Sequence, residues 1–486
     1  MNLATVIEEH DADRPALVSR GRVTTYGTLR AETAKMRGAL VARGVEPGDR
    51  VAIVAANNGY FVAAYLAVLG AGAVAVPLNP QSPPAEIERE LRLVGVRLAL
   101  IGPTGRRVMD AIDDASLPGY LGAVPVADLR VGEAAPHVER GPDDIAVLLF
   151  TSGTAGAPRP AILTHGNLLA NISQILANPE RPRGADDVVL GVLPLFHIFG
   201  LNAMLGVALH VGGTAVLIER FDPHTTLAAI AEHGVTVVSG VPAMWAAWAG
   251  LRDAPPDAFA TVRLAVSGAA PLDPGVRRAV RDRFGLDLTE GYGLTEASPA
   301  VTSGLGHDAP DGSIGVPLPG VAVRLIDGSG EDALVGDPGE IWVKGPNVFP
   351  GYWQDDEATR AALTEDGWLR TGDMAVVDDD GFLSIVDRVK DVVIVSGFNV
   401  FPAEVEDVIA SHPEVADCAV VGVPHPHSGE AVRALVVTEP NAHVDADELI
   451  DFAGHHLARY KCPSTVTFVD ELPHTVTGKV LRRVLR

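Results

Sequence analysis

Short runs of β-branched residues and leucine alternate along this chain with alanine-rich stretches of helical spacing. The runs include RVAIVA, VRLALIG, IAVLLF, GTAVLI, GVTVVSG and VRLAVSG. Runs that are apolar on both faces are typical of parallel strands, because helices cover both sides of such a sheet. We therefore expect an α/β fold with layered parallel sheets as far as residue 320.

The pattern changes twice after that point. Strands in VAVRLID, GEIWVKG and MAVVDDDGFLSIVDR lie close together around glycine and Asp-Gly turns, which is typical of antiparallel hairpins. A new α/β pattern begins at Asp387, and a chain of 486 residues is longer than single cores usually become. We predict a large N-terminal domain, 1–386, of α/β-layered subdomains plus a small β-barrel-like subdomain, followed by a small C-terminal α+β domain, 387–486.

The segment YFVAAYLAVLGAGAVAVPLN, from Tyr60 to Asn79, is uncharged and nearly long enough to span a bilayer. Gly70, Gly72 and Pro77 interrupt it. We expect a buried helix and a short strand here, because a helix–turn–strand in an α/β core has the same composition. No integral membrane span is predicted.

Composition narrows the classes of function. With 47% hydrophobic and 21% charged residues, the chain is typical of a globular protein. Its net charge of -24 disfavours nucleic acid and anionic membranes as partners, because both are polyanions. Cys418 and Cys462 are too few for a disulfide framework, and neither has a companion at metal-ligand spacing. Because the N-terminal residues also lack a basic segment followed by an apolar one, we expect a cytoplasmic protein.

The stretch FTSGTAGAPRPAILTHGN, residues 150–167, places glycines and hydroxyls directly after an apolar strand. Backbone N–H groups in such a loop can form a nest for the β- and γ-phosphates of a nucleotide. The nest residues are Thr151, Ser152, Gly153, Thr154 and Gly156. The loop is not a Walker A motif, because no Gly-Lys-Ser/Thr follows it. A polar turn after a strand is the alternative interpretation.

Six further motifs follow in order along the chain. They are LPLFHIFGLN, VSGAAPL, EGYGLTEAS, GWLRTGD, DRVKDVVIVSGFNVFPAEVE and TVTGKVLR. Together with the loop they resemble the signature of the adenylate-forming superfamily, over nearly the whole chain. The resemblance implies an acyl-CoA synthetase. In that reaction a carboxylate attacks the α-phosphate of ATP with Mg²⁺ present, which gives an acyl-adenylate and releases pyrophosphate. The thiol of CoA then displaces AMP from the acyl-adenylate.

The resemblance also assigns roles in adenylation. Lys479 of TGK would bridge the carboxylate and the α-phosphate, Thr295 would contact the α-phosphate, and Glu296 would bind Mg²⁺. The implied nucleotide contacts are Arg159, Gly268, Ala269, Ala270, Glu290, Gly291, Tyr292, Gly293, Asp373 and Arg388. Within this set Tyr292 would stack on adenine, and Asp373 would accept both ribose hydroxyls. Purely structural alternatives are a solvated tail lysine, a helix cap at Thr295, a core tyrosine and a turn aspartate.

For the second half-reaction the resemblance implies a mobile C-terminal domain. Its rotation would withdraw Lys479 and bring the SGFN region around Gly397 to the thiol arm of CoA. Lys390 in DRVKD is the predicted hinge residue. A glycine that serves only a tight turn is the alternative for Gly397. The expected partners are the acid, ATP and CoA, with a homodimer as the candidate assembly.

One departure from the family pattern lies in the phosphate loop. Arg159-Pro160 stands where the family commonly has Lys-Gly. Arginine can still pair with pyrophosphate, whereas proline removes an N–H and fixes φ. We expect a stiffer loop and an altered grip on pyrophosphate.

The implied acid pocket is apolar. Its predicted residues are His197, Ile198, Phe199, Leu201, Val241 and Gly291. Malonate-activating relatives have an arginine at the position of Gly291, so its absence opens the pocket floor and disfavours a short dicarboxylate. We expect a medium- to long-chain fatty acid. The alternatives are an aryl acid such as a cinnamate or benzoate, and delivery of the acyl group to a carrier protein instead of CoA.

Overall fold

The computed structural model describes residues 2–151, 159–178, 182–388, 391–395, 398–425, 429–440, 442–457, 459–474 and 480–485. Within these ranges the strands are β1 (Pro15–Ser19), β2 (Arg22–Thr25), β3 (Arg50–Val54), β4 (Val74–Leu78), β5 (Leu98–Ile101), β6 (Ala123–Pro125), β7 (Ile145–Thr151), β8 (Arg159–Thr164), β9 (Val188–Gly191), β10 (Thr214–Leu217), β11 (Val237–Gly240), β12 (Leu264–Ser267), β13 (Leu288–Gly293), β14 (Ala300–Ser303), β15 (Val316–Pro317), β16 (Ala322–Ile326), β17 (Gly339–Lys344), β18 (Leu369–Val377), β19 (Leu383–Arg388), β20 (Val393–Val395), β21 (Phe398–Val400), β22 (Val415–His425), β23 (Gly429–Thr438) and β24 (Thr465–Phe468).

The α-helices of the same ranges are α1 (Tyr26–Ala42), α2 (Gly59–Gly70), α3 (Pro84–Val94), α4 (Arg106–Met109), α5 (His165–Leu176), α6 (Val207–His210), α7 (Pro223–His233), α8 (Pro242–Gly250), α9 (Pro274–Phe284), α10 (Asp356–Ala362), α11 (Pro402–Ala410) and α12 (Ala446–His456). A π-helix, Phe199–Gly206, precedes α6. Short 3₁₀ turns lie at Leu3–Ile7, Asp114–Ser116, Val126–Leu129, Thr295–Ala297 and Arg482–Val484.

The chain divides into two compact units. The first comprises Met1–Ala309, Gly315–Val323 and Val343–Leu369, and the second comprises Pro310–Ile314, Arg324–Trp342 and Arg370–Arg486. The fold is thus mixed α/β with a large N-terminal and a small C-terminal part. The predicted boundary at Asp387 falls inside the second unit and stays a prediction.

Two sheets form the first unit. The larger has nine strands in the order β15-β14-β13-β12-β11-β9-β10-β1-β2, and the other has six in the order β6-β5-β3-β4-β7-β8. The six apolar runs singled out in the sequence are β3, β5, β7, β10, β11 and β12. Parallel pairing joins β3 to β5, β4 to β7, β9 to β10, and β11 to β12, so the predicted parallel layers are confirmed.

The helices on the nine-stranded sheet bury an aromatic cluster. Trp245 and Trp248 of α8 are fully buried, with ring centroids 5.1 Å apart. Phe259 packs edge-on against Trp248 at 5.5 Å. Burial of each aromatic side chain removes about 150–250 Å² of its surface from water. This burial holds α8 against the strands that end beside it.

The segment Tyr60–Asn79 forms helix α2 and strand β4, as predicted. Asn58 caps α2, because its side-chain oxygen accepts from the N–H of Tyr60 at 3.1 Å. In the described part of the chain, no helix has the length and apolar character needed to cross a bilayer.

The second unit contains the later strands. A four-stranded sheet, β16-β17-β18-β19, lies mostly in it, and β18 pairs with β19 in antiparallel fashion as the hairpin pattern predicted. A five-stranded sheet contains β20–β24, with β22 and β23 antiparallel. Helices α11 and α12 belong to the same unit, where the sequence predicted a new α/β pattern.

Candidate active site

The first unit gathers predicted site residues at one edge of the nine-stranded sheet. Strands β11, β12 and β13 are parallel, with Gly240 opposite Ser267 and Ser267 opposite Glu290. The carboxyl ends of parallel strands meet at the same edge, which is where open α/β sheets bind ligands. The chain leaves β11 at Val241 and leaves β12 at Gly268, so both residues lie at this edge beside β13.

The acid segment follows β9 at the same edge. His197 is half-buried, and its Nδ1 accepts from the N–H of Phe199 at 3.3 Å. The π-helix begins at Phe199, whereas Ile198 and Leu201 are buried in the core. π-Helical turns are rare and occur frequently at functional sites.

Phe199 reaches the residues that follow β12. A Cβ added to Gly268 would lie 3.2 Å from Cε1 of Phe199 and 3.8 Å from the carbonyl oxygen of Gly291. The Phe199 ring therefore packs directly on the Gly268 backbone. The structure brings together one predicted acid residue, Phe199, and two predicted nucleotide residues, as a shared site requires.

Gly291 itself faces the neighbouring strand. A Cβ added there would lie 2.8 Å from the carbonyl oxygen of Thr302 in β14. A larger side chain at this position would therefore press on β14. The role of Gly291 as the floor of the acid pocket stays a prediction. Gly293 is equally close to backbone, since its Cβ would lie 2.4 Å from the carbonyl oxygen of Pro299.

Tyr292 lies between these glycines in β13. Its N–H donates to Oγ1 of Thr302 at 3.3 Å, and its side chain is half-buried. Ala269 has φ 72°, a left-handed conformation that costs a residue with a Cβ about 1 kcal/mol. Strain of this kind is frequently kept at ligand sites. The half-buried ring and the strained turn fit the predicted adenine contacts of Tyr292 and Gly268–Ala270.

Glu290 has a structural ion pair. Its carboxylate, which is buried, pairs with the guanidinium of Arg277 in α9 and accepts from the N–H of Leu272 at 3.3 Å. Buried charges are stable only when they are paired in this way. Glu290 thus ties the loop after β12 to α9, whatever further contact it makes with a nucleotide.

The turn Thr295–Ala297 carries the predicted metal ligand. Oε1 of Glu296 accepts from the hydroxyl of Tyr352 at 2.7 Å. The carbonyl oxygen of Glu296 accepts from the N–H of Phe349 at 2.9 Å. Both the side chain and the backbone of Glu296 are therefore fixed by residues that the sequence motifs did not single out.

Buried amides hold the rest of this turn. Nδ2 of Asn202, in the π-helix, donates to the carbonyl oxygens of Leu168 and of Ser298, the latter at 2.7 Å. Asn171 of α5 accepts from the N–H of Ala300 at 3.1 Å and donates to its carbonyl oxygen at 2.8 Å. Satisfied buried polar networks of this kind fix one conformation. Asn202 also joins the helix that follows His197 to the turn of Glu296.

Arg159 and Pro160 belong to strand β8 and not to the preceding loop. β8 is an edge strand of the six-stranded sheet, where proline is tolerated because one side of the strand needs no ladder N–H. Arg159 pairs with Thr151 in register, and its Nε lies 3.1 Å from Oδ2 of Asp355. This arginine therefore already has an acidic partner.

In the second unit, Asp373 lies in β18 directly opposite Arg388 of β19. Asp373 is buried, and its N–H donates to Oγ1 of Thr371 at 3.1 Å. The backbones of these two predicted nucleotide residues are therefore neighbours in the sheet.

Seven predicted site residues lie outside the described residues. They are Ser152, Gly153, Thr154 and Gly156 of the phosphate loop, Lys390 and Gly397 of the hinge and CoA path, and Lys479. Their roles stay predictions.

Several residues of the site were missed at the sequence level. One is Asn57, whose Nδ2 donates to the carbonyl oxygen of Leu193 at 2.6 Å and whose Oδ1 accepts from the N–H of Leu195 at 3.0 Å. It holds the loop that leads to His197. The doublet Asn57-Asn58 just after a strand is a polar interruption of an apolar region, and that signal could have identified it.

Comparisons with known proteins agree with this geometry. The family model described as AMP-binding enzyme matches residues 3–353, and its C-terminal domain model matches 404–479. A feruloyl-CoA synthase of Amycolatopsis sp is 39% identical over 96% of this chain and 94% of the relative. A long-chain-fatty-acid–CoA ligase of Yersinia pestis is 37% identical over 98% of this chain and 92% of the relative.

Solved structures show the same similarity. ATP-bound MatB from Rhodopseudomonas palustris has a TM-score of 0.93 and 34% identity, covering 100% of this chain and 98% of that one. The anthranilate CoA ligase AuaEII, in complex with anthranoyl-AMP, has a TM-score of 0.90 and 26% identity, covering 100% and 96%. The chain therefore belongs to the family of AMP-binding enzymes, and within it is an acid–thiol ligase of the AMP-forming type.

Proposed function

We propose that this chain is an acyl-CoA synthetase that joins a medium- to long-chain fatty acid to CoA through an acyl-adenylate. The observation that carries the choice of acid is the contact of Phe199 with Gly268, which places an aromatic ring at the edge where the nucleotide residues lie. Ile198 and Leu201, which lie close to Phe199 in the sequence, are also apolar and buried. Such an environment favours an alkyl chain over a charged substituent. The relatives named as long-chain-fatty-acid–CoA ligases support the same acid.

In the adenylation step, Tyr292 stacks on adenine and Asp373 accepts the ribose hydroxyls. Thr295 donates to the α-phosphate, and Lys479 neutralises charge shared by the carboxylate and that phosphate. Preorganised donors of this kind supply most of the stabilisation of a phosphoryl transition state. His197 accepts a hydrogen bond from the N–H of Phe199 at the start of the segment predicted to bind the acid. In this proposal it orients the carboxylate of the substrate.

Glu296 is the residue that would hold Mg²⁺. One of its carboxylate oxygens accepts from Tyr352, and a carboxylate so anchored fits an ion that takes one or two carboxylates plus phosphate oxygens and water. When bound, the ion supplies charge neutralisation to the phosphates. Glu296 would hold the ion, and Thr295 would bind the α-phosphate.

The thioester step uses the C-terminal region. Rotation at Lys390 removes Lys479 and brings Gly397 to the thiol arm of CoA, with Arg388 beside the hinge. A glycine suits this role, because a residue without a side chain allows a narrow thiol chain to pass close to the backbone. The thiolate then attacks the acyl carbon, and AMP leaves with the electron pair of the cleaved bond.

An aryl acid is the second candidate substrate. The specific support is the relative named feruloyl-CoA synthase, 39% identical over most of its length, and the structural neighbour named an anthranilate CoA ligase. Phe199 would stack on an aromatic substrate as readily as it would contact an alkyl chain. The alternative acceptor, a carrier protein, has no such support.

We also propose a cytoplasmic location. Cys418 and Cys462 do not form a disulfide, which suits a reducing compartment. A homodimer stays a prediction that sedimentation velocity would test.

A panel of straight-chain and aryl acids tests the substrate. We expect pyrophosphate release in the absence of CoA, acyl-CoA formation in its presence, and kcat/KM that rises with chain length by up to roughly fourfold per methylene, the equivalent of about 0.8 kcal/mol. A preference for cinnamates or benzoates over every straight-chain acid would favour the aryl candidate. Product formation that needs a carrier protein would contradict the role of CoA.

A further inference from the structure

Residues 349–355, which we call the brace, connect strand β8 with the turn of Glu296. At one end, the N–H of Phe349 donates to the carbonyl oxygen of Glu296 at 2.9 Å. At the other, the N–H of Trp353 donates to the carbonyl oxygen of Pro160 at 2.8 Å. Backbone bonds at both ends make the brace a fixed connection between the strand after the phosphate loop and the predicted metal ligand.

Tyr352 is the side chain of the brace that touches the carboxylate. Its hydroxyl donates to Oε1 of Glu296 at 2.7 Å, and its ring packs edge-on against Phe349 at 4.9 Å. An ionised carboxylate oxygen can only accept a hydrogen bond, so the Tyr352 hydroxyl is the donor of this bond.

A donor on one oxygen of a carboxylate restricts its rotation. A metal-binding carboxylate without such a partner must lose that freedom when the ion binds, which weakens the complex. The Tyr352 ring is held by its packing and by the backbone of the brace, since its own N–H donates to Oγ1 of Thr359 at 2.9 Å. The donor is thus held in position by contacts within the protein itself.

We propose that Tyr352 is the positioning residue of the metal site: its hydroxyl holds Oε1 of Glu296 and so fixes the orientation of the carboxylate that would bind Mg²⁺ together with ATP. The proposal rests on the proposed role of Glu296 in metal binding. It assigns a task to a residue 56 positions along the chain from the carboxylate that it holds.

The variant Tyr352→Phe tests this, because it removes one oxygen and keeps the ring that packs on Phe349. The matched control is Tyr26→Phe. Tyr26 is fully buried and also donates a bond of 2.7 Å, but to the carbonyl oxygen of Gly213 on another part of the unit. Both variants lose one side-chain hydrogen bond, and only Tyr352→Phe changes a residue that touches Glu296.

The readout is the rise in Tm caused by Mg²⁺ at one fixed ATP concentration without acid, so that no turnover occurs. The Mg²⁺ activation curve of pyrophosphate release gives a second value. We expect Tyr352→Phe to raise the Mg²⁺ concentration for half-effect by roughly 10- to 100-fold in both measurements, the usual effect of losing an outer-shell partner. Tyr26→Phe should lower Tm and leave the Mg²⁺ requirement at the native value.

Two results would overturn parts of this account separately. If the native enzyme shows no Mg²⁺-dependent rise in Tm with ATP, both the metal role of Glu296 and the role of Tyr352 are wrong. If the native enzyme shows the rise and Tyr352→Phe has the native Mg²⁺ requirement, the role of Tyr352 alone is wrong. Glu296→Gln serves as the reference for complete loss of the effect.

Discussion

Arg159 and Asp355 form an ion pair, with 3.1 Å between Nε and Oδ2, at the start of the strand that leaves the phosphate loop. Asp355 has a second task, because its Oδ1 accepts from the N–H of Ala358 and caps α10. Each side chain is about one-third exposed, so solvent screens the pair and its strength is at most about 1 kcal/mol. The arginine that stands where the family has lysine is therefore held by an aspartate, and its predicted contact with pyrophosphate would compete with this ion pair.

The variant Asp355→Asn tests whether the ion pair with Asp355 weakens the contact of Arg159 with pyrophosphate. Asparagine keeps the helix cap but removes the charge, so Arg159 is released from its partner. We expect product inhibition by pyrophosphate to become stronger by roughly two- to fivefold, the size of a screened ion pair. The gain should disappear in the double variant Arg159→Ala/Asp355→Asn. Unchanged inhibition in Asp355→Asn would show that Arg159 does not reach pyrophosphate.

Replacing Gly268 or Gly291, both at the sheet edge, by alanine should have different effects on activity and stability. In Gly268→Ala the new Cβ lies 3.2 Å from a ring atom of Phe199, and a side chain can yield by a few tenths of an ångström. We expect altered acid selectivity with little loss of Tm. Comparison of kcat/KM across straight-chain acids for native and variant enzymes checks this, and an unchanged profile would mean that Phe199 does not contact the acid.

In Gly291→Ala the new Cβ meets the backbone oxygen of Thr302 at 2.8 Å, so strand β14 must move. Overpacking of this kind costs about 1–3 kcal/mol. We expect a lower Tm and a higher KM for ATP, because Tyr292 is the next residue. The loss of activity should be the same at every acid length. A loss that grows with acid length would instead support Gly291 as the pocket floor.

Much of the architecture follows from local sequence. The apolar runs of β3, β5 and β12 are strands because β-branched residues fit a sheet that is covered on both faces. The helix–turn–strand at Tyr60–Asn79 follows from its glycines. These features depend on residues a few positions apart, and such periodicity can be read without knowledge of the fold.

The side-chain contacts that hold the site residues could not be predicted from local sequence patterns. Tyr352 reaches Glu296 and Arg159 reaches Asp355 across 56 and 196 residues, because β8 and the brace become neighbours only in the folded chain. The direction of the missing Cβ of Gly291 depends on the pairing of β13 with β14. The motifs predicted which residues take part, and tertiary structure decides which partners each residue has.

His165 makes the stability of the first unit depend on pH. Its Nδ1 accepts from the N–H of Leu3 at 3.0 Å, and burial, with a smaller effect of Arg140, lowers its pKa to about 4. The unfolded chain, whose histidine has a pKa of about 6.5, therefore binds more protons between these values, and stability falls as pH falls through this window. The contribution amounts to about 3 kcal/mol between pH 6.5 and pH 4.

The variant His165→Asn checks this, because its side-chain oxygen can accept the same bond and does not titrate. Urea titrations at several pH values give the unfolding free energies of the unmutated protein and of the variant. The two values should converge as pH falls, since only the unmutated protein loses the contribution of His165. Parallel curves for the native and variant chains would contradict a neutral, buried His165.

Lys479 is proposed to act in the first half-reaction alone. Lys479→Ala should slow adenylation by orders of magnitude, because the charge shared by carboxylate and α-phosphate is no longer neutralised. Thioester formation from supplied acyl-AMP should stay within a fewfold of the native rate. Stopped assays of the two half-reactions measure both rates, and an equal loss in both would contradict the rotation of the C-terminal region.

The central claim is that this chain makes an acyl-adenylate and then transfers the acyl group to CoA. A single-turnover experiment with enzyme in excess over ATP, Mg²⁺ and a long-chain fatty acid, without CoA, tests it most directly by mass spectrometry of the quenched mixture. We predict acyl-AMP and pyrophosphate in equal amounts, and conversion of the acyl-AMP to acyl-CoA and AMP when CoA is added. ADP and inorganic phosphate as the products, or acyl-AMP that persists in the presence of CoA, would contradict the account.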